Sequence, residues 1–185
     1  FDYGCNNCYA YRNTINNLRG KENVENSGSG IMILDSTNIF VFGNVIKNVR
    51  KGLFVGNKTG QTTGQSATVY NNTFINTVTD GVYILSTSDI STLVVKNNIF
   101  ISGNNSVRNL NTAWSDETYN TFYKYTTISG HTLSATSDTN SPYLLDTTPT
   151  ANTPKGIFMN FNRDFTGIPN YAPPYRGALQ YFRRS

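Results

Sequence analysis

The ionisable side chains of this chain are few and scattered, which limits the chemistry it could carry. A glycosidase needs two carboxyl groups roughly 5–10 Å apart across a sugar ring. Asp35, Asp80, Asp89, Asp116 and Glu117 are too dispersed in sequence to nominate such a pair. A polysaccharide lyase instead abstracts a proton beside a uronic carboxylate, and needs a base and a cation to neutralise the acid. Arg50, Lys51, Lys58 and Arg108 are the basic groups available for that, and no acidic cluster of the calcium-binding kind accompanies them. The single histidine, His131, lies in a Ser/Thr-rich stretch and reads as a solvated loop residue. Gly56-Asn57-Lys58-Thr59-Gly60 lacks the Gly-Lys-Ser/Thr spacing of a phosphate loop. Cys5 and Cys8 form one Cys-x-x-Cys; a zinc ribbon requires a second pair, and a redox motif requires a helix N-terminus. The two read as structural cysteines, with a bridge inside a turn as one option.

The elements that hold these residues follow from composition. The 185 residues include 26 Asn and 24 Thr against 7 Ala and 3 Glu. Asn and Thr are weak helix formers and Ala and Glu strong ones, so the chain is all-β. Its 13% aromatic and 14% charged content argues against disorder, and its length supports one domain with a core. No apolar run approaches the roughly 20 residues that span a bilayer. The charge of +4 is spread along the chain, without the basic face and organised aromatics of a nucleic-acid binder. A weak attraction to acidic polysaccharides is as far as it goes.

A repeat of roughly 20–30 residues is the informative feature. Its first part recurs as Asn13-Thr14-Ile15, Asn44-Val45-Ile46, Asn72-Thr73-Phe74, Asn98-Ile99-Phe100 and Asn120-Thr121-Phe122. After a variable loop comes Gly-apolar-x-apolar: Gly30-Ile31-Met32-Ile33, Gly52-Leu53-Phe54-Val55, Gly81-Val82-Tyr83-Ile84 and a degenerate Ser106-Val107-Arg108-Asn109. Short strands separated by Asn/Gly turns, each pairing with its counterpart in the next unit, build a parallel β-helix. Ile15, Ile46, Phe74, Phe100 and Phe122 then stack inside. The preceding asparagines form a ladder at a turn, where Asn tolerates a left-handed backbone. The doublets Asn71-Asn72 and Asn97-Asn98 leave the ladder register open by one residue.

The runs Val69 to Ile75 and Val95 to Ile101, with the Gly-Val-Tyr-Ile strand, resemble the right-handed parallel β-helix proteins of the pectate-lyase-like superfamily. The resemblance covers roughly residues 8–125 and implies an all-β, single-stranded helix of about five coils over 1–125. Residues 126–185 then form an irregular tail that caps the helix or packs along it. Within that tail, Asp164 to Gly167 and Pro173 to Ala178 are similar to the closing segment of secreted bacterial β-helix proteins, although Arg176 stands where an apolar residue is commoner. Phe1 opens without a cap, which implies further coils upstream or another chain, including a second copy, over that end.

In such enzymes the substrate lies along the first strand of each coil, which the resemblance assigns to the Gly-apolar run. Alternation points Ile31, Leu53, Val82 and Val107 inward and Met32, Phe54, Tyr83 and Arg108 outward. Phe54 and Tyr83 could stack on sugar rings and Arg108 read a carboxylate or sulfate, with Lys51, Lys58, Asp80 and Asn57 at the strand ends. The competing reading is that this column is a second core beneath the tail. The expected function is glycan recognition at a secreted, cell-surface or virion-surface location, as the C-terminal part of a lyase-like polysaccharide-active protein. The alternative is a non-catalytic adhesin, surface fibre or phage tailspike-like module. No catalytic residue is assigned and no cofactor is required. Calcium is the one ion the lyase reading would admit.

Overall fold

A computed structural model describes residues 1, 4–22, 24, 27–57, 64–85, 89–109, 116–129, 134, 135 and 137. Every element among them is a strand: β1 (Tyr9–Tyr11), β2 (Thr14–Asn16), β3 (Ser29–Leu34), β4 (Ile39–Phe42), β5 (Val45–Gly56), β6 (Gln65–Tyr70), β7 (Thr73–Ile84), β8 (Ile90–Lys96), β9 (Ile99–Asn109), β10 (Asp116–Thr118) and β11 (Thr121–Ser129). All pairings are parallel. One sheet runs β1-β4-β6-β8-β10 and the other β11-β9-β7-β5-β2, with β3 also paired to β5. The chain is therefore a parallel β-solenoid, as the repeat requires. It amounts to about three turns rather than the expected five, and its outer levels include strands of only three residues, β1, β2 and β10.

The interior follows the predicted register. Ile15, Ile46, Phe74, Phe100 and Phe122 are successive partners across five strands. Phe74 and Phe100 stack at 4.6 Å and 3°, and Phe100 and Phe122 at 4.7 Å and 8°. Strands about 4.8 Å apart bring identical side chains into face-to-face contact, so the pile is a direct product of the pairing. Ile31, Leu53, Val82 and Val107 line the same core.

The asparagine ladder resolves the open register. The amide Nδ2 of Asn13, Asn44, Asn72 and Asn98 donates to Oδ1 of the next ladder residue at 2.8–3.0 Å, ending on Asn120. Each backbone N–H donates to the same oxygen at 2.9–3.0 Å. Contrary to expectation, the ladder asparagines are not the left-handed residues. That conformation falls on the residue before each, Arg12, Gly43, Asn71, Asn97 and Tyr119, with φ of 52–63°. It recurs at Asn17, Asn48, Asn76, Ser102 and Lys124, with φ of 52–64°. The left-handed residue turns the chain and the next one aims its amide at the neighbouring coil; Asn71 and Asn97 take the first task, Asn72 and Asn98 the second.

The variable loop before the Gly-apolar run survives only in the first coil. In β5, β7 and β9 the two parts of the repeat are one bent strand with a register shift at the bend, between Val49 and Lys51 and between Thr77 and Asp80. Glycine opens the second half because coils approach closely there. A Cβ on Gly52 would lie 2.5 Å from the Gly81 carbonyl oxygen and 2.8 Å from the Phe74 ring.

Candidate functional site

The bends place the nominated residues on one face. Lys51, Asp80 and Asn105 are register partners just past the bends of β5, β7 and β9. Three positions further on, Met32, Phe54, Tyr83 and Arg108 form the parallel column. Five of the six nominated residues therefore come together, while Lys58 lies outside the described residues. The Phe54 and Tyr83 rings stack at 5.5 Å and 18°. The Arg108 guanidinium stands 5.6 Å from the Tyr83 centroid, and the Lys51 ammonium 5.2 Å from it. Asp80 is buried; its Oδ1 accepts a 2.8 Å bond from Asn105 Nδ2 and lies 3.8 Å from Arg108 Nε.

Burial divides this face in two. Phe54 and Tyr83 are only 2% and 4% exposed and form a separate apolar cluster with Leu34, Met32 and Leu85. Phe54 comes from the coil before Tyr83 and Arg108 from the coil after it, so the two faces of Tyr83 are both taken. The Arg108 side chain remains 45% exposed. What this face offers to solvent is a cation braced on an aromatic ring and an acid, rather than an open ring surface.

The other basic and acidic candidates have structural partners. Arg50 Nη1 donates to the carbonyls of Lys21 and Val24 and pins the loop of the first coil. Asp116 pairs with Lys96 on the surface. Glu117 is buried and its carboxylate accepts from Asn120 Nδ2, the Ser134 amide and the Ser137 hydroxyl. Asp35 is buried after β3 and Asp89 exposed before β8, so the two carboxylates occupy unlike environments. Cys5 and Cys8 are joined in a disulfide across the first turn. His131 and the residues from 138 onward lie outside the described residues. Among the described residues, no group of three or more His, Cys, Asp or Glu side chains gathers as a metal site requires, and no helix is long and apolar enough to cross a membrane.

Sequence reading missed an aromatic face on the other sheet. Tyr9 stacks on Phe40 at 5.1 Å, Tyr11 on Phe42 at 5.3 Å, and Phe42 on Tyr70 at 5.1 Å. The signal was present in Tyr9-Ala10-Tyr11 and Phe40-Val41-Phe42, where every outward position is aromatic. Tyr9 and Tyr11 end these stacks and are 58% and 51% exposed. Burial pushes the Tyr70 phenol up to about 12, with a smaller contribution from Tyr9. Burial likewise raises Tyr125, partly offset by its 2.6 Å bond with Thr77 and reinforced by the Asp80 carboxylate. No family model and no curated protein matches the chain.

Proposed function

We propose that this solenoid recognises an acidic glycan through the outer face formed by β3 and the second halves of β5, β7 and β9, and that it is a right-handed helix of the pectate-lyase-like kind within a polysaccharide-active protein. The observation that carries the reading is Arg108. It is half-exposed, backed by the Tyr83 ring, and approached by Asp80 only through Nε. A guanidinium has five N–H donors, and its outer pair matches a carboxylate or sulfate bidentately. The buried Lys51 beside Tyr83 adds a second positive charge to the same face. The Cys5–Cys8 disulfide supports an oxidising, extracytoplasmic setting. Lyase chemistry in the parent protein fits this face better than hydrolysis, since cations converge here and paired carboxylates do not.

A second reading, a non-catalytic surface or fibre module, is favoured by the burial of Phe54 and Tyr83 as a second core. Native-gel retardation with polyuronate and sulfated glycans separates the two. Arg108→Ala is expected to abolish retardation with a modest loss of melting temperature, since it uncovers Tyr83 and removes the cation beside buried Asp80, whereas Phe54→Ala lowers the melting temperature more and leaves retardation in place. A wild-type chain retarded by none of these polymers would overturn glycan recognition and leave the structural module.

A further inference from the structure

Asp80 stands in sequence among the residues of the ligand face, yet its side chain is fully buried. Its two oxygens are treated unequally. Oδ1 accepts a 2.8 Å bond from Asn105 Nδ2 and lies 3.8 Å from Arg108 Nε. Oδ2 is buried as well and accepts no hydrogen bond among the described residues. An unmet buried acceptor is destabilising, and a carboxylate placed here to hold the coils together would be met on both oxygens. The arrangement instead aims one oxygen at one edge of one arginine.

That edge matters because the guanidinium has few other constraints. The Arg108 side chain is 45% exposed, and its guanidinium stands 5.6 Å from the Tyr83 centroid. A planar cation beside a ring can still turn in its own plane, and so present either its Nε edge or its Nη pair to solvent. Asp80 breaks that choice. By drawing Nε–H inward it leaves the two Nη groups outward, as the fork that a carboxylate or sulfate takes bidentately. Asn105, the register partner of Asp80 in the next coil, holds the acid in turn. Lys51, its partner in the coil before, is a buried cation 5.2 Å from the Tyr83 centroid. The Lys51 charge is common to every variant below and cancels from the comparison.

We infer that Asp80, held by Asn105, is a positioning residue of the Arg108 anion site: it does not meet the glycan, and it sets the direction of the guanidinium fork. The ligand of this inference rests on the acidic-glycan reading above. The expected effect is opposite in sign to that of simple electrostatics. Removing a negative charge beside an anion site should strengthen anion binding. If Asp80 positions Arg108, its removal weakens binding although the face becomes more positive.

The full chain is titrated with a labelled oligouronate and a labelled sulfated oligosaccharide. Asp80→Asn, which keeps the shape of the side chain, is expected to weaken binding about tenfold, within the range of couplings between contacting side chains. Asn105→Ala is expected to weaken it as well with no change of charge, and it covers the case in which Asp80→Asn does not fold. In an Arg108→Lys background, which keeps the charge and loses the fork, Asp80→Asn is expected to add no further loss. Tighter or unchanged binding by Asp80→Asn, unchanged binding by Asn105→Ala, or a further loss in the lysine background would overturn the inference. A lower melting temperature with affinity intact would assign Asp80 to the fold alone. In glycan-free protein, the NMR order parameter of the Arg108 Nε–H is expected to fall in both single variants, and equal values would also overturn the inference. A wild-type chain that binds neither sugar, with that order parameter still falling in the variants, would sink the glycan reading and leave the positioning role standing.

Discussion

Asn44, Asn72 and Asn98 make the same set of ladder hydrogen bonds, and Asn72 is the middle one of the three. It is fully buried, and its Nδ2 donates to the carbonyls of Val41 and Tyr70 and to Asn98 Oδ1 at 2.9–3.0 Å. Its Oδ1 accepts both donors of Asn44. Alanine there would strand two donors on Asn44 and two carbonyls in an apolar interior, each carrying a desolvation penalty of about 1–3 kcal/mol before relaxation. Some of those groups keep other partners, since Asn44 Nδ2 also bonds the Ala10 and Phe42 carbonyls. Asn72→Ala is therefore expected to lower unfolding free energy by about 3 kcal/mol, and Asn13→Ala, at the solvated end, by less than about 1 kcal/mol. Urea denaturation of the two variants checks this, and equal losses would show that ladder position does not matter.

At the scale of the elements, the bends in β5, β7 and β9 matter most. Each converts a strand of one face into a strand of the next without an intervening loop, and it is the bend that sets Lys51, Asp80 and Asn105 beside the aromatic column. Gly103 stands at such a bend, where Thr77 and Tyr125 meet across it at 2.6 Å. A Cβ on Gly103 would lie 2.4 Å from the Thr77 carbonyl oxygen and 2.5 Å from the Tyr125 ring. The backbone contact cannot yield by a rotamer change, so Gly103→Ala is expected to destabilise by about 1–3 kcal/mol, as overpacking does, and to speed hydrogen exchange at the bends of β7 and β9. Wild-type exchange rates in that variant would contradict the account.

These bends also mark where the sequence becomes unreadable. Columns such as Ile46, Phe74 and Phe100, or Phe54, Tyr83 and Arg108, are legible because stacking forces equivalent positions to share an environment, and that leaves a period in the chain. A register shift between Thr77 and Asp80 leaves none, because it answers to the coil above. Nor could the sequence distinguish Asn71 from Asn72, since either amide satisfies the local pattern and only the neighbouring Asn98 decides. The burial of Phe54 and Tyr83 was open for a related reason: alternation gives the side of a strand and says nothing of what covers it. Glu117 reads in sequence as a surface acid, and only the end of the ladder explains why it is inside.

For the whole molecule, the stack makes stability a matter of neighbours: each coil rests on the one before and the one after, as in other solenoids. The Cys5–Cys8 disulfide belongs to the first level. Its turn lies on the turn of the next, where the Thr37 amide donates to the Cys5 carbonyl and Asn6 Oδ1 accepts from Thr37 and Asn38. A bridge closing so short a loop restrains the unfolded chain by about 2 kcal/mol in the chain-entropy model. Reduction is thus expected to release the first level alone. Hydrogen exchange should quicken in β1 and in the turn before it, while β7 and β9, with coils on both sides, keep their rates. The interior Phe stack begins at Phe74, two levels away, and shares no side chain with the bridge, so its near-ultraviolet circular dichroism should also persist. Uniformly faster exchange after reduction would instead mean that the coils open as one cooperative unit, and that nearest-neighbour reasoning does not apply to a stack this short.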